Sequence, residues 1–225
     1  MAMPCPSSRA PRWRVPRLPD AARRGGRLLA VVALMVALGA CVSIESRFVF
    51  AEDGSGDLHL VYRLDPAMAE LGNAATPGAL PLPISERDFR AATAAVEGLE
   101  LTEYRRDDGE DAVVVHATLH FDRVRRLAEL PSFADLQPRL EGGDPATFEL
   151  VLGIAADEPA LDVGARELLN MLFGDHVVSF VVEAPRPIRE SSEGVLSEDG
   201  RQVTVTIPLA RYAAQRERQV LTVRW

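Results

Sequence analysis

Lysine is absent from the 225 residues, so all 25 basic side chains are arginine, set against 33 acids. That absence is the mark of a GC-rich coding sequence and carries no functional reading. Cysteine is nearly absent too. Cys5 and Cys41 are the only two, too few for the disulfide framework or the thiolate zinc site that cysteine-rich chains build. No apolar run is long enough to cross a bilayer, which takes about 20 residues for a hydrocarbon core roughly 30 Å thick. No Gly-x-Ser-x-Gly occurs, and no glycine-rich phosphate loop leads from a strand into a helix. These gaps exclude the best-marked hydrolase and nucleotide-binding classes, and nothing in the chain asks for a cofactor.

What is present begins with the N-terminus. Seven arginines (Arg9, Arg12, Arg14, Arg17, Arg23, Arg24 and Arg27) face a single acid, Asp20, in the first 27 residues. The apolar run Leu28–Leu38 follows, 11 residues long. A basic region, a short apolar region and then small residues form a secretory signal. Here the small residues end in Leu38-Gly39-Ala40-Cys41, the pattern of a lipobox. The thiol of Cys41 is the nucleophile that takes diacylglycerol in a thioether, and Gly39 and Ala40 are small enough for a peptidase cleft. Residues 1–40 therefore read as a removed lipoprotein signal peptide, cut between Ala40 and Cys41, and residues 41–225 as one lipid-anchored domain. The basic region is long, which allows a start at Met3 or later. Each buried CH₂ of an acyl chain contributes about 0.8 kcal/mol, so two or three chains hold the protein on its membrane. Cys5 leaves with the signal and Cys41 is consumed by lipid, which leaves neither a disulfide nor a free thiol.

Without the seven arginines and one acid of the signal, residues 41–225 hold 18 arginines against 32 acids, a net charge of −14. That balance excludes nucleic acid as a partner and argues against electrostatic docking on anionic lipid. No flexible tether follows the cysteine: Val42, Ile44, Phe48 and Phe50 already alternate as a strand. The fold must start almost at the membrane surface.

Period-two alternation predicts three hairpins. The first joins Val42–Phe50 to Leu58–Leu64 through Asp53-Gly54-Ser55-Gly56-Asp57. The second joins Leu99–Arg106 to Asp111–Phe121 through Asp107-Asp108-Gly109-Glu110, and the third runs from Val195 to Ile207 around Glu198-Asp199-Gly200. Ser85-Glu86-Arg87-Asp88 resembles a capping box, with Ile84 and Phe89 as its staple and Gly98 as the stop of the helix. Further helices are expected at Arg123–Leu130 and Leu161–Leu172, strands at Thr147–Ala155, His176–Ala184 and Gln219–Arg224, and a surface linker at Pro77–Pro83. The order predicts an α+β domain: an antiparallel β-sheet built from hairpins, with a few helices packed on one face.

Four histidines are the only metal-ligand candidates. On a strand, His116 and His120 share one face with Val114 and Thr118 and stand about 13 Å apart, too far to hold one ion together. His59, His176 or an acid would have to join one of them. His59, His116 and His120 therefore read as solvent-face histidines first and as metal ligands second. Asp53-Gly54-Ser55-Gly56-Asp57 imitates the first half of a calcium loop, but Leu58 and Leu64 stand where glycine and a bidentate glutamate are required. It reads as a polar turn. Arg123, Arg125 and Arg126 could grip an anion, although a solvated helix face is the simpler reading.

The lipobox cysteine, the strand Val42–Phe50, Asp53-Gly54-Ser55-Gly56 and Leu58-His59-Leu60-Val61-Tyr62 make a recognisable series. Phe180-Val181-Val182-Glu183-Ala184-Pro185, Ile188–Gly194 and Val203-Thr204-Val205-Thr206-Ile207-Pro208 continue it. Together they resemble the LppM-like lipoprotein domain of mycobacteria and the spirochaete-type envelope lipoproteins. The resemblance implies an α+β domain of the cell envelope with no assigned catalytic residue. The expected function is a lipid-anchored, extracytoplasmic module that binds a lipid-like ligand or an envelope protein, or serves structurally, and is not an enzyme. The apolar surplus at Met171, Leu172 and Phe173 motivates the lipid version. The alternative is a metal-dependent or histidine–carboxylate hydrolase.

Overall fold

The computed structural model describes residues 43–64, 66, 69–70, 83–152, 164, 167, 176–214 and 217–225. Its first hairpin pairs β1 (Ser43–Phe50) with β2 (Gly56–Leu64), antiparallel, from Ser43 opposite Arg63 to Phe50 opposite Gly56. Gly54 has φ +84°, a conformation that glycine adopts at little cost, and its N–H donates to Ala51 O at 3.1 Å. Asp53 fixes the turn by accepting from the N–H and the hydroxyl of Ser55, at 3.0 and 2.6 Å. Gly56 has a different reason. A Cβ there would meet Val49 O at 2.1 Å and the ring of Phe121 at 2.8 Å.

Helix α1 (Glu86–Ala94) starts on the Ser85 cap: Ser85 Oγ accepts from the N–H of Asp88 at 3.2 Å, and its hydroxyl, in place of the backbone N–H of a full capping box, donates to the Asp88 carboxylate at 2.6 Å. The second hairpin pairs β3 (Leu99–Asp108) with β4 (Val113–Phe121), and its register shifts between Leu101 and Glu103. Thr102 is the extra residue of a bulge, so Leu99, Leu101, Tyr104 and Arg106 all fall on the covered side. The segment expected to be helical at Arg123–Leu130 is a 3-10 helix over Val124–Glu129. It has no side-chain cap and runs into Pro131, which begins a second, three-residue 3-10 turn.

Strands β5 (Arg139–Glu141), β6 (Thr147–Leu152), β7 (Val177–Glu183), β8 (Glu190–Ser191), β9 (Val195–Leu196) and β10 (Gln202–Pro208) follow. Helix α2 (Leu209–Ala214) and β11 (Gln219–Arg224) end the chain. The helix expected over Leu161–Leu172, the apolar trio Met171–Phe173 and most of the Pro77–Pro83 stretch lie outside the described residues. So does the end of the strand expected to reach Ala155.

Seven strands form one sheet in the order β3-β4-β2-β1-β7-β10-β9. The α+β class holds, with one correction to the wholly antiparallel sheet. β1 and β7 pair in parallel, Ile44 opposite Val178 through Val49 opposite Glu183. Strands more than a hundred residues apart have no tight turn to force them antiparallel. A second sheet, β5-β6-β11-β8, was not foreseen. It packs on the inner face of the first, where Phe148 lies 5.4 Å from Phe48 and 5.0 Å from Phe50, and Trp225 lies 5.3 Å from Phe50.

The even positions of β1 and β2 and the odd positions of β4 point inward, as their alternating burial requires. Phe48, Leu58, Val115, Phe121, Phe148, Leu150 and Val182 are fully enclosed in one core that spans both sheets. Each such side chain contributes roughly 1.5–3 kcal/mol. Phe89 of α1 covers Tyr62 and Tyr104, and Tyr212 of α2 covers Phe180.

Candidate functional site

Three places on this frame carry polar groups with something to explain: the outer face of the large sheet, the interior beneath α1, and a cleft where the two sheets meet.

On the outer face the register sets Glu103, Thr118, His59 and Arg47 in one row, with Arg105, His116, Val61 and Glu45 in the next. His59 Nδ1 lies 3.1 Å from Thr118 Oγ1, and His120 Nδ1 lies 2.9 Å from Asp57 Oδ1. Strand alternation thus set His59, His116 and His120 on a shared, solvent-facing side, as the sequence suggested. His176 stands just before β7. Among the described residues no group of three or more His, Cys, Asp or Glu is placed to hold a metal ion. The His120–Asp57 pair has the form of two-thirds of a catalytic triad, but no hydroxyl is hydrogen-bonded to His120 among the described residues. Arg47 stands 3.9 Å from both Glu45 and Glu183, exposed pairs worth about 0–1 kcal/mol each.

Inside, Tyr62 is 1% exposed and its hydroxyl has no hydrogen-bond partner among the described residues. Removal from water pushes its phenol well above the ordinary tyrosine range. Its neighbour across Phe89 is satisfied, since the Tyr104 hydroxyl donates to Ile84 O at 2.8 Å. Sequence reasoning counted Tyr62 among the alternating residues of a strand and missed its orphan hydroxyl, because pattern cannot tell which inward tyrosine finds a partner.

The cleft, of about 380 Å³, opens beside the β1–β2 turn at the end of β1 away from Ser43. The chain leaving β4 brings in Asp122, Arg123 and Arg125; the segment after β7 brings in Arg186; Val124, Leu140 and Trp225 make the apolar wall. Its carboxylates are already engaged. Asp53 is held by its own turn, and the Ser55 hydroxyl and N–H keep its carboxyl below the usual range. Asp122 lies 4.0 Å from Arg126 Nε, and Glu52 lies 3.3 Å from Arg186 Nε. Of the three arginines the sequence singled out, Arg126 turns to Glu129 at 3.1 Å, and that hydrogen bond raises its already high pKa. Arg123 and Arg125 do line the cleft. Arg186 was missed, since only the folded chain brings it beside them.

No family model matches the chain, and no curated protein matches it in sequence. Among solved structures it is similar to the folded domain of the LppM protein of Mycobacterium tuberculosis, with a TM-score of 0.44 and 10% identity. The match covers 81% of this chain and 88% of that one. So slight a likeness carries no argument about this chain. No described helix is long and apolar enough to cross a membrane. Cys41, Ala40 and the apolar run before them lie outside the described residues.

Proposed function

We propose that the chain is a lipoprotein of the bacterial cell envelope, cut between Ala40 and Cys41, anchored through acyl chains on Cys41 and carried outside the cytoplasm. The observation that carries this reading is the junction of signal and fold. β1 begins at Ser43, two positions after the lipobox cysteine. At roughly 3.3 Å per extended residue, the anchor and the start of the sheet are less than about 10 Å apart. A domain without a tether is held at the headgroups, where a binding or structural role close to the bilayer suits it.

Within that role the chain acts by binding and not by catalysis, its ligand a lipid-like molecule or an envelope protein. In support, the contacts of His59 with Thr118 and of His120 with Asp57 tie both rings into the outer face of the sheet. The buried Tyr62 hydroxyl has no hydrogen-bond partner among the described residues, an unused donor of the kind that orients a mostly apolar ligand.

Cys41→Ser tests the anchor. The expected product is not lipidated and leaves the membrane fraction, whereas a variant that still fractionates with membranes at the normal processed size overturns the reading. Native mass spectrometry of the purified chain tests the ligand: a retained lipid mass supports the lipid version, and a ligand-free mass removes it.

A further inference from the structure

We propose that the cleft between the β1–β2 turn and the chain leaving β4 is a binding site for a phosphate-bearing ligand, gripped by Arg123, Arg125 and Arg186. This inference is independent of the anchor and stands on the geometry of the cleft alone.

Charge accounting leads to it. Arg123 and Arg125 have neither an ion pair nor a side-chain hydrogen bond among the described residues. Arg186 brings a third guanidinium from a distant segment, and its Nε is buried without a hydrogen bond, although Glu52 Oε2 lies 3.3 Å away. Glu52 is exposed, so a bound phosphate oxygen would compete with it for that N–H. Asp53 and Asp122 also line the cleft, but their contacts are with Ser55 and Arg126, and neither is ion-paired to Arg123, Arg125 or Arg186 among the described residues.

Guanidinium groups present paired N–H donors that match the oxygens of phosphate in a bidentate fork, and such charge-assisted bonds are about twice as strong as neutral ones. The volume of about 380 Å³ lies at the small end of ligand clefts and suits a phosphate with a compact body. Trp225 and Leu140 give that body an apolar wall. Three arginines share one concavity with Glu52, Asp53 and Asp122, so a bound phosphate is held there by direct guanidinium contacts and not by a net positive field. A phosphate ester in solution and the headgroup of a phospholipid share this chemistry, and both are probed.

The full chain carrying Trp13→Phe has Trp225 as its single indole, a reporter set in the cleft wall. Its emission is followed while glycerol 3-phosphate or dihexanoyl phosphatidic acid is added, with sodium chloride of matched ionic strength as control. A saturable change with glycerol 3-phosphate supports a soluble phosphate ester, and one confined to dihexanoyl phosphatidic acid supports a lipid headgroup. Arg123→Gln with Arg125→Gln weakens that binding about tenfold or more, while Arg90→Gln, whose side chain pairs with Glu86 on α1 away from the cleft, leaves it unchanged. Each single glutamine variant serves where circular dichroism finds the double variant unfolded. No saturable change with either probe overturns the proposal, as does an equal response to chloride or unweakened binding by the arginine variants.

Discussion

At the scale of the residue, Tyr62 and the histidines sit on opposite faces of the same pair of strands and obey different rules. The histidines were legible because a strand's period of two leaves no choice: once Val113, Val115, Ala117, Leu119 and Phe121 face the core, His116 and His120 must face out. Tyr62 was legible as a core residue but not as a strained one. Burial of a hydroxyl without a partner costs roughly 1–3 kcal/mol. Tyr62→Phe keeps the ring stacked on Phe89 at 6.4 Å and removes only the oxygen. It is therefore expected to leave the ligand-free protein as stable as before or to raise its stability by about 1 kcal/mol, read as the midpoint of urea unfolding. A drop of more than about 1 kcal/mol would mean that the hydroxyl is bonded after all, to a water or ligand that survives purification.

Among the elements, the turns wrote themselves into the sequence and the long-range pairings did not. Asp-Gly marks the hairpins at Asp53-Gly54, Asp108-Gly109 and Asp199-Gly200, and α1 begins on its cap at Ser85. The parallel contact of β1 with β7 and the whole second sheet depend on strands far apart in the chain, for which local chemistry holds no instruction. The same holds for the cleft: Arg123 and Arg125 stand out in the sequence, whereas Arg186 joins them only through the fold. Two turns use the same device. Asp53 accepts from the N–H and hydroxyl of Ser55; Asp199 accepts from the Ser197 hydroxyl and the Arg201 N–H. In each case the side-chain hydrogen bond is the chief reason the carboxyl titrates below its reference value of 3.8. Since the folded pKa is the lower one, the turn's contribution is complete above the unfolded value and is lost as the pH falls through the folded one. Ser55→Ala is expected to move the Asp53 midpoint up toward 3.8, seen in the carboxyl carbon shift by NMR, while Asp199 keeps its own. An unmoved Asp53 would assign the shift to the backbone bond alone.

For the whole molecule, the question is whether two sheets melt together or apart. The described residues from Ser43 to Trp225 belong to one compact unit, and one buried core includes both Phe48 of the large sheet and Phe148 of the small one. The segment from Ala184 to Gln202 also stitches them: Ile188 N–H donates to Gly200 O beside β10, and Arg189 N–H to Arg224 O in β11. β8 then pairs with β11 and β9 with β10, so a single stretch of chain lies at one edge of each sheet. Neither sheet can leave without uncovering the other's aromatic rings. Phe148→Ala removes the ring that contacts both Phe48 and Phe50 and should cost about 3–5 kcal/mol, a large fraction of the roughly 5–15 kcal/mol that holds a domain. If the sheets are coupled as these contacts require, that loss lowers one shared transition. Far-UV circular dichroism, which follows mainly the seven-stranded sheet, and Trp225 emission, which reports the small one, should then shift by the same amount and stay superimposed. Separation of the two curves, with the small sheet melting first, would mean that the second layer is a detachable cover.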